Sequence, residues 1–255
     1  MDIKSLTFSP PVIAHRGACA AAPENTLVAF RNAHALGFRW VEFDVMLSKD
    51  QEVVVFHDTD LLRITGNQGS VADYSYAELA AMDAGSWFSP KFAGEKIPRF
   101  QEVLLLLGQL GVSANIEIKA TEIDTTLTVK KTLDILKKYG THLPHLFISS
   151  FSMAILQEVR KDSAAWPLGL LIDEWHEDWQ AHAEKLDYAL IDVNQAILSP
   201  EIVAAIKATH RKVLAYTVNV AERAQELMTW GVDAIFSDCT PSIVSWVKSS
   251  AKMGR

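Results

Sequence analysis

Chemistry-bearing residues collect at a few places along this chain. In WVEFDV (40–45), Glu42 and Asp44 stand two apart on a run of strand character. A side-chain period of two sends both carboxylates to one face and Val41, Phe43 and Val45 to the other. ANIEIK (114–119) repeats the pattern, with Asn115, Glu117 and Lys119 on the polar face and Ile116 and Ile118 opposite. If the apolar faces pack against helices, the polar faces meet inside the fold. Three carboxylates gathered there cost on the order of several kcal/mol each unless they are paired or bound to a cation. Oxygen-only donors select a hard divalent ion such as Mg²⁺, Ca²⁺ or Mn²⁺. The competing reading is an ion-pair network in which Lys119 and Arg16 neutralise the acids.

The segment HRGACAAAPENT (15–26) follows an apolar run directly. It puts His15, Arg16 and Gly17 at a strand's C-terminal end, a poor place for a core histidine. Arg16 carries a planar fork suited to phosphate or carboxylate, or to a salt bridge with Glu42 or Glu24. Gly17 permits close backbone approach to a ligand. Asn25 reads equally as a helix N-cap or as part of a site. His57 ends EVVVFHD (52–58) beside Asp58, a natural partner for orienting an imidazole. Two histidines meeting at a metal would serve as acid and base, whereas a single histidine beside an acid is more often only solvated. Tyr216, Thr217 and Asn219 could supply an aromatic wall and hydrogen bonds, and Trp87 and Phe88 in DAGSWFS (83–89) a second wall; both groups also read as core. Trp175 and Trp179, four apart, read as packing on one helix face. Asp238 reads as an acid at a helix N-terminus ahead of Pro241.

The elements that must position these groups follow an alternating rhythm. Eight short apolar runs, PVIAH (11–15), WVEFDV, ANIEIK, LFISS (146–150), LGLLI (168–172), YALIDV (188–193), VLAYTV (213–218) and AIFSD (234–238), are separated mostly by segments of helical period. Those segments include 26–36, 127–139, 199–210 and 221–231, the last ending on Gly231, where a C-cap is expected. The alternation predicts an α/β fold, a (β/α)8 TIM barrel in one domain spanning 1–255. About seventy residues between WVEFDV and ANIEIK break the rhythm, too many for a structureless loop. They predict a small insertion subdomain over about 46–98, after the second strand, capping the barrel mouth.

Composition bounds the function. The chain has 255 residues, 49% of them apolar and 22% charged, with a net charge of −7. That is ordinary globular usage with no basic field for nucleic acid. Cys19 and Cys239 form no CxxC pair, and no apolar run reads as a secretion signal or a membrane span. A cytoplasmic setting is expected.

Taken in order, HRG…PENT (15–26), EFDV (42–45), VVFHD (54–58), NIEIK (115–119), YTVN (216–219) and SD (237–238) resemble the glycerophosphodiester phosphodiesterase family, from first strand to last. DAGSWFS and LLIDEWHEDW (170–179) look like its short cytoplasmic bacterial members. The resemblance implies a TIM barrel with an inserted subdomain, one divalent cation, and hydrolysis of glycerophosphodiesters to sn-glycerol 3-phosphate and an alcohol. Carried over by motif, Glu42, Asp44 and Glu117 would hold the metal, His15 and His57 would be the acid–base pair, and Arg16 and Lys119 would bind phosphate. Trp87 and Tyr216 would contact substrate; Tyr216 stands where many members carry Trp. The expected partner is a small glycerophosphodiester, with no nucleic acid and no membrane span, and with a homodimer left open. Two rivals remain: a phospholipase-like diesterase of the same superfamily, and a non-catalytic phosphate- or metal-binding barrel, for which a proton-shuttling histidine pair would be superfluous.

Overall fold

A computed structural model describes residues 6–121, 124–176 and 178–253, the side chains of 250–253 excepted. From the N-terminus, β1 (Val12–Ala14) leads through α1 (Leu27–Ala35) into β2 (Trp40–Leu47), β3 (Val53–Val55), α2 (Leu62–Thr65), α3 (Tyr76–Ala81) and α4 (Phe100–Leu110). Strand and helix then alternate strictly: β4 (Ser113–Ile118), α5 (Thr125–Tyr139), β5 (Leu146–Ser150), α6 (Met153–Asp162), β6 (Leu168–Ile172), α7 (Trp179–Lys185), β7 (Leu190–Asn194), α8 (Pro200–Ala208), β8 (Lys212–Tyr216), α9 (Ala221–Trp230), β9 (Ala234–Ser237) and α10 (Pro241–Met253). Eight strands pair in parallel, and β1 closes the ring by pairing with both β2 and β9. The expected (β/α)8 barrel is what the chain forms, each of its strands falling on one of the eight apolar runs.

The strands close because their outward and inward faces are buried differently. Outward, Val41, Phe43 and Val45 pack on the helical layer, and the Phe43 ring lies 5.5 Å from Phe30 of α1 and 5.9 Å from Phe100 of α4. Inward, the N-terminal end of the barrel is plugged by Ile13, Trp40, Phe147, Leu190, Leu214 and Phe236, with Leu6 packed beneath. The Trp40 indole inside this plug donates to the carbonyl of Thr7 at 2.9 Å, as a buried indole N–H requires. Above the plug the inward face turns polar, with Glu42, Asp44, Asn115, Ser149 and Asp192 all buried. Polar groups inside a barrel point to the C-terminal mouth as the working end.

Between β2 and α4 the chain leaves the barrel pattern. β3 pairs antiparallel with the upper half of β2, with Val55 opposite Val45. Residues 46–98 gather a separate apolar cluster in which Met46, Val54, Phe56, Leu61, Ile64 and Leu79 are buried. Residues 46 and 54 of the paired strands, with 56 just after β3, thus face away from the barrel and fasten this segment to its rim. No helix among the described residues is long and apolar enough to cross a membrane.

One open alternative is decided and one local expectation is corrected. The N-cap of α1 is Thr26, whose hydroxyl accepts from the Ala29 amide, and not Asn25. Trp175 precedes α7 rather than sharing its face with Trp179, although the two rings still pack with centroids 5.7 Å apart. Gly231 does end α9 as its C-cap, at φ 97° in the left-handed region.

Candidate active site

Strand register assembles the acids. Along β2 and β4, Glu42 lies opposite Asn115 and Asp44 opposite Glu117, so three carboxylates face one another inside the mouth. One oxygen from each of Glu42, Asp44 and Glu117 lies within 4.8 Å of the others. The expected ion pairs also form: the Lys119 ammonium donates to Glu117 at 2.9 Å and lies 3.5 Å from Asp44, while the Arg16 guanidinium reaches Asp44 at 3.7 Å. Two cations against three acids leave one carboxylate over. That remainder falls on Glu42, which accepts from the Arg16 amide at 3.0 Å through one oxygen and has no partner for the other. Burial, with Asp44 and Glu117 nearby, pushes the Glu42 carboxyl well above its usual range. Burial next to Asp44 raises Glu117 to about 7. Asp44 is held low, its desolvation outweighed by Lys119, His57 and Arg16 and by a 2.9 Å hydrogen bond from Asn25. An orphaned, buried carboxylate oxygen in an all-oxygen set fits a hard divalent cation. Among the described residues His15, Cys19 and Asp238 form the other group that could hold an ion, but there His15 and Cys19 already share one oxygen of Asp238.

Both histidines are oriented by acids. His15 follows β1, and its Nδ1 lies 2.7 Å from Asp238 Oδ1 just past β9, leaving Nε2 3.9 Å from Glu42. Asp238 is fixed in turn by Asn219, whose amide donates at 2.6 Å and whose carbonyl oxygen accepts from the Asp238 amide at 2.9 Å. Against the desolvation of its site, hydrogen bonds from His15, Cys19 and Asn219 hold Asp238 at about 2. His57 follows β3, and its Nδ1 lies 2.7 Å from Asp58. Burial lowers the His57 imidazole, with Arg16 and Lys119 adding to it and Asp44 opposing. Arg63 on α2 grips Asp58 at 2.6 Å and Glu24 at 2.8 and 2.9 Å, and Glu24 also accepts from Arg16 at 2.8 Å.

His15, Arg16, Glu42, His57, Glu117, Lys119 and Tyr216 line one cavity of about 150 Å³, walled further by Phe151, Leu171 and Phe236. Asp44 is not among the lining residues; it meets the site through Lys119 at 3.5 Å and Asn25 at 2.9 Å. Trp87 is not among the lining residues: it stands on the inserted segment, 40% exposed, with the Arg63 guanidinium 5.6 Å from its ring. Gly17 serves the fold rather than a ligand. At φ 81° it packs against α1, where a Cβ would sit 2.8 Å from the Ala29 backbone.

Several supporting groups escape sequence reasoning. The Asp238–His15 contact spans 223 residues and Arg63 reaches Glu24 across 39 residues, while Asn25, read evenly as cap or as site, turns inward to Asp44 at φ 56°. Asp192 on β7 lies fully buried with neither oxygen partnered, and burial, with Glu117 nearby, pushes its carboxyl well above the usual range. Gly169 makes room for it, since a Cβ there would stand 2.7 Å from Asp192 Oδ2.

Comparison with known proteins identifies the chain's relatives. A profile of the glycerophosphoryl diester phosphodiesterase family fits residues 15–240. A glycerophosphodiester phosphodiesterase of Caldanaerobacter subterraneus subsp. tengcongensis is 34% identical over 242 residues, covering 93% of this chain and 97% of that one. Among solved structures, an Oleispira antarctica phosphodiesterase in complex with the product sn-glycerol-3-phosphate superposes with a TM-score of 0.89 at 36% identity, over 94% of this chain and 97% of that one. The glycerophosphodiester phosphodiesterase of Thermotoga maritima follows at 0.75 and 28%, over 95% and 97%. Profile, sequence and barrel agree across nearly the full length, and the chain belongs to the glycerophosphoryl diester phosphodiesterase family.

Proposed function

We propose that this protein hydrolyses glycerophosphodiesters, such as glycerophosphocholine and glycerophosphoethanolamine, to sn-glycerol 3-phosphate and the free alcohol in a divalent-metal-dependent reaction. The observation that carries this is the convergence of two acid-oriented imidazoles with Glu42 and Glu117 on one small cavity, Asp44 lying within 4.8 Å of both carboxylates. Binding alone needs no such pair of histidines. Glu42, Asp44 and Glu117 would hold the cation, which supplies charge neutralisation at the phosphate and acidifies the attacking hydroxyl. Arg16 and Lys119 would turn part of their pairing from carboxylate to phosphate oxygens when the diester binds. Tyr216 would wall the substrate within the cavity, and Trp87 would do so from the inserted segment, residues 46–98, read as a cap in one domain with the barrel.

In the reaction one oxygen–phosphorus bond forms and the bond to the alcohol breaks. One of His15 and His57 takes the proton of the attacking hydroxyl and the other returns a proton to the leaving alkoxide, each contributing about 10²–10⁴-fold. Asp238 and Asp58 keep both Nδ1 atoms engaged, so the Nε2 atoms are the ones free to act. The attacking hydroxyl belongs either to water, giving sn-glycerol 3-phosphate directly, or to the substrate's own glycerol, giving a cyclic phosphate that water then opens to the same product; both routes take up one oxygen from water, so trapping of the cyclic phosphate in a single turnover separates the two. Unbridged thiols at Cys19 and Cys239 support the cytoplasmic setting.

The test is release of sn-glycerol 3-phosphate from glycerophosphocholine by the purified protein, after EDTA and after restoring Mg²⁺, Ca²⁺ or Mn²⁺. Activity lost to EDTA and restored by an ion is expected. Absence of product from every glycerophosphodiester with every ion would refute the reading.

One observation favours a lipid-bearing substrate as a second reading. The exposed large apolar side chains Leu62, Trp87, Phe151, Met153 and Val220 all follow a strand's C-terminal end or stand on the inserted segment. An acyl chain on the glycerol could lie along that rim; hydrolysis of lysophosphatidylcholine alongside glycerophosphocholine tests it.

A further inference from the structure

Beside the catalytic cavity lies a second and larger one, of about 440 Å³. The two share a wall: Phe151, at the end of β5, and Leu171 on β6 line both. Phe151 stands edge-on to Tyr216, with centroids 5.8 Å apart, and is 48% exposed, so its ring is free to a ligand passing between the chambers. Whatever the substrate carries beyond its phosphate on this side must enter the larger chamber.

The chamber's lining decides what that is. No lysine or arginine lines it among the described residues, whereas Asp173, Glu174 and Asp178 do. Asp173 accepts from Asn194 at 2.7 Å, and Asp178 lies 3.1 Å from His182, which with His176 also faces the space. Carboxylates at the rim repel the phosphate and its glycerol 3-phosphate product, which confines the anionic half of the substrate to the smaller cavity with Arg16 and Lys119. The alcohol half is left for the larger one. Acidic groups around aromatic surface, here Phe151 and Trp179, attract an organic ammonium through charge and through the ring faces.

Resting on the diesterase reading, the geometry points to the larger cavity as the subsite for a leaving alcohol that carries a cation, a quaternary or primary ammonium such as that of choline or ethanolamine. The chamber then sets selectivity among glycerophosphodiesters by favouring cationic over neutral alcohols. Its carboxylates are exposed, so the preference is moderate and weakens with salt.

The experiment compares kcat/KM for glycerophosphocholine, glycerophosphoethanolamine and glycerophosphoglycerol, all of which release the same product, in the metal-loaded wild type and in Glu174→Gln/Asp178→Asn. Both substitutions lie on the exposed rim, and circular dichroism verifies that the fold is kept. Expected is a preference for both cationic diesters over glycerophosphoglycerol that falls by roughly three- to tenfold in the double variant. A second readout needs no turnover: saturation transfer from protein to free choline by NMR, with glycerol as reference, present in the wild type and diminished in the variant. An equal preference for all three diesters, or a preference the variant leaves intact, overturns the subsite. If no diester is hydrolysed with any ion, the diesterase reading falls, and the choline signal alone then decides: variant-sensitive contact supports the chamber, and its absence overturns it.

Discussion

Without a divalent ion this protein should become less stable as pH rises, opposite to the usual behaviour of a carboxylate-rich fold through the acid range. Glu117 shifts from 4.5 in the unfolded chain to about 7 in the fold, because burial beside Asp44 favours its neutral form. Between those values the folded state holds a proton that the unfolded chain has released, so unfolding free energy declines with pH. The contribution is intact below about pH 4.5 and is lost progressively up to about pH 7. Integrated from about pH 5 to 8, Glu117 alone removes roughly 2–3 kcal/mol, which for a chain of this size lowers Tm by roughly 5–10 °C. Glu42 and Asp192, both raised by burial, act in the same direction. Asp58 and Asp238, held at about 2, are ionised throughout and add no slope. His57, lowered by burial, gains stability with pH below about 6.5 and so opposes part of the trend. The assay is thermal unfolding at a series of pH values from about 5 to 8, with EDTA and with Mg²⁺, for the wild type and Glu117→Gln. The metal-free wild type should lose Tm with pH, the metal should restore it most at the alkaline end, and Glu117→Gln should flatten the metal-free curve. A metal-free wild type that gains stability across this range, or a Glu117→Gln variant with an unchanged slope, would refute the reasoning.

Three further outcomes are expected. His15→Ala and His57→Ala should each lose about 10²–10⁴-fold in kcat while retaining metal by equilibrium dialysis; near-normal turnover in either removes that residue from the mechanism. Asp238→Asn should lower kcat about ten- to hundredfold with metal affinity unchanged, because the His15 ring loses its orienting anion; a full-rate variant would show that Asn219 and Cys19 suffice to shape the pocket. Gly17→Ala should cost about 2–4 kcal/mol, read as a lower midpoint in urea, since the new Cβ meets the Ala29 backbone at 2.8 Å from a left-handed conformation; an unchanged midpoint would mean that α1 can move aside.

The barrel was legible because its strands are buried on both faces and read as short apolar runs, punctuated by helical periods of ordinary length. The acidic trio was legible for a related reason: a period of two leaves no choice about which face Glu42 and Asp44 share. What pairing across the ring does was not legible. Asp238 looks like any acid ahead of a proline-started helix, and only closure of β9 onto β1 brings it to His15. Asn25 satisfied a local capping pattern, but its left-handed backbone hands that task to Thr26 and leaves its own amide for Asp44. Asp192 alternates correctly along its strand, and nothing local indicates that its inward neighbours offer it no hydrogen bond. Arg63 lies on a single turn of helix too short for any periodic signal.

Arg63 also bears on how separable the parts of this molecule are. It is carried by the segment that supplies His57 and Asp58, yet its strongest grip is on Glu24, in the first loop of the barrel. A graft of residues 46–98 onto a sister barrel would therefore transfer one of the two cavity-lining histidines, its carboxylate and the clasp, while leaving the clasp's anchor behind. Such a chimera should work only where the recipient presents an acid at the place of Glu24. The two histidines of this site thus reside on pieces of chain that must be inherited as a matched pair.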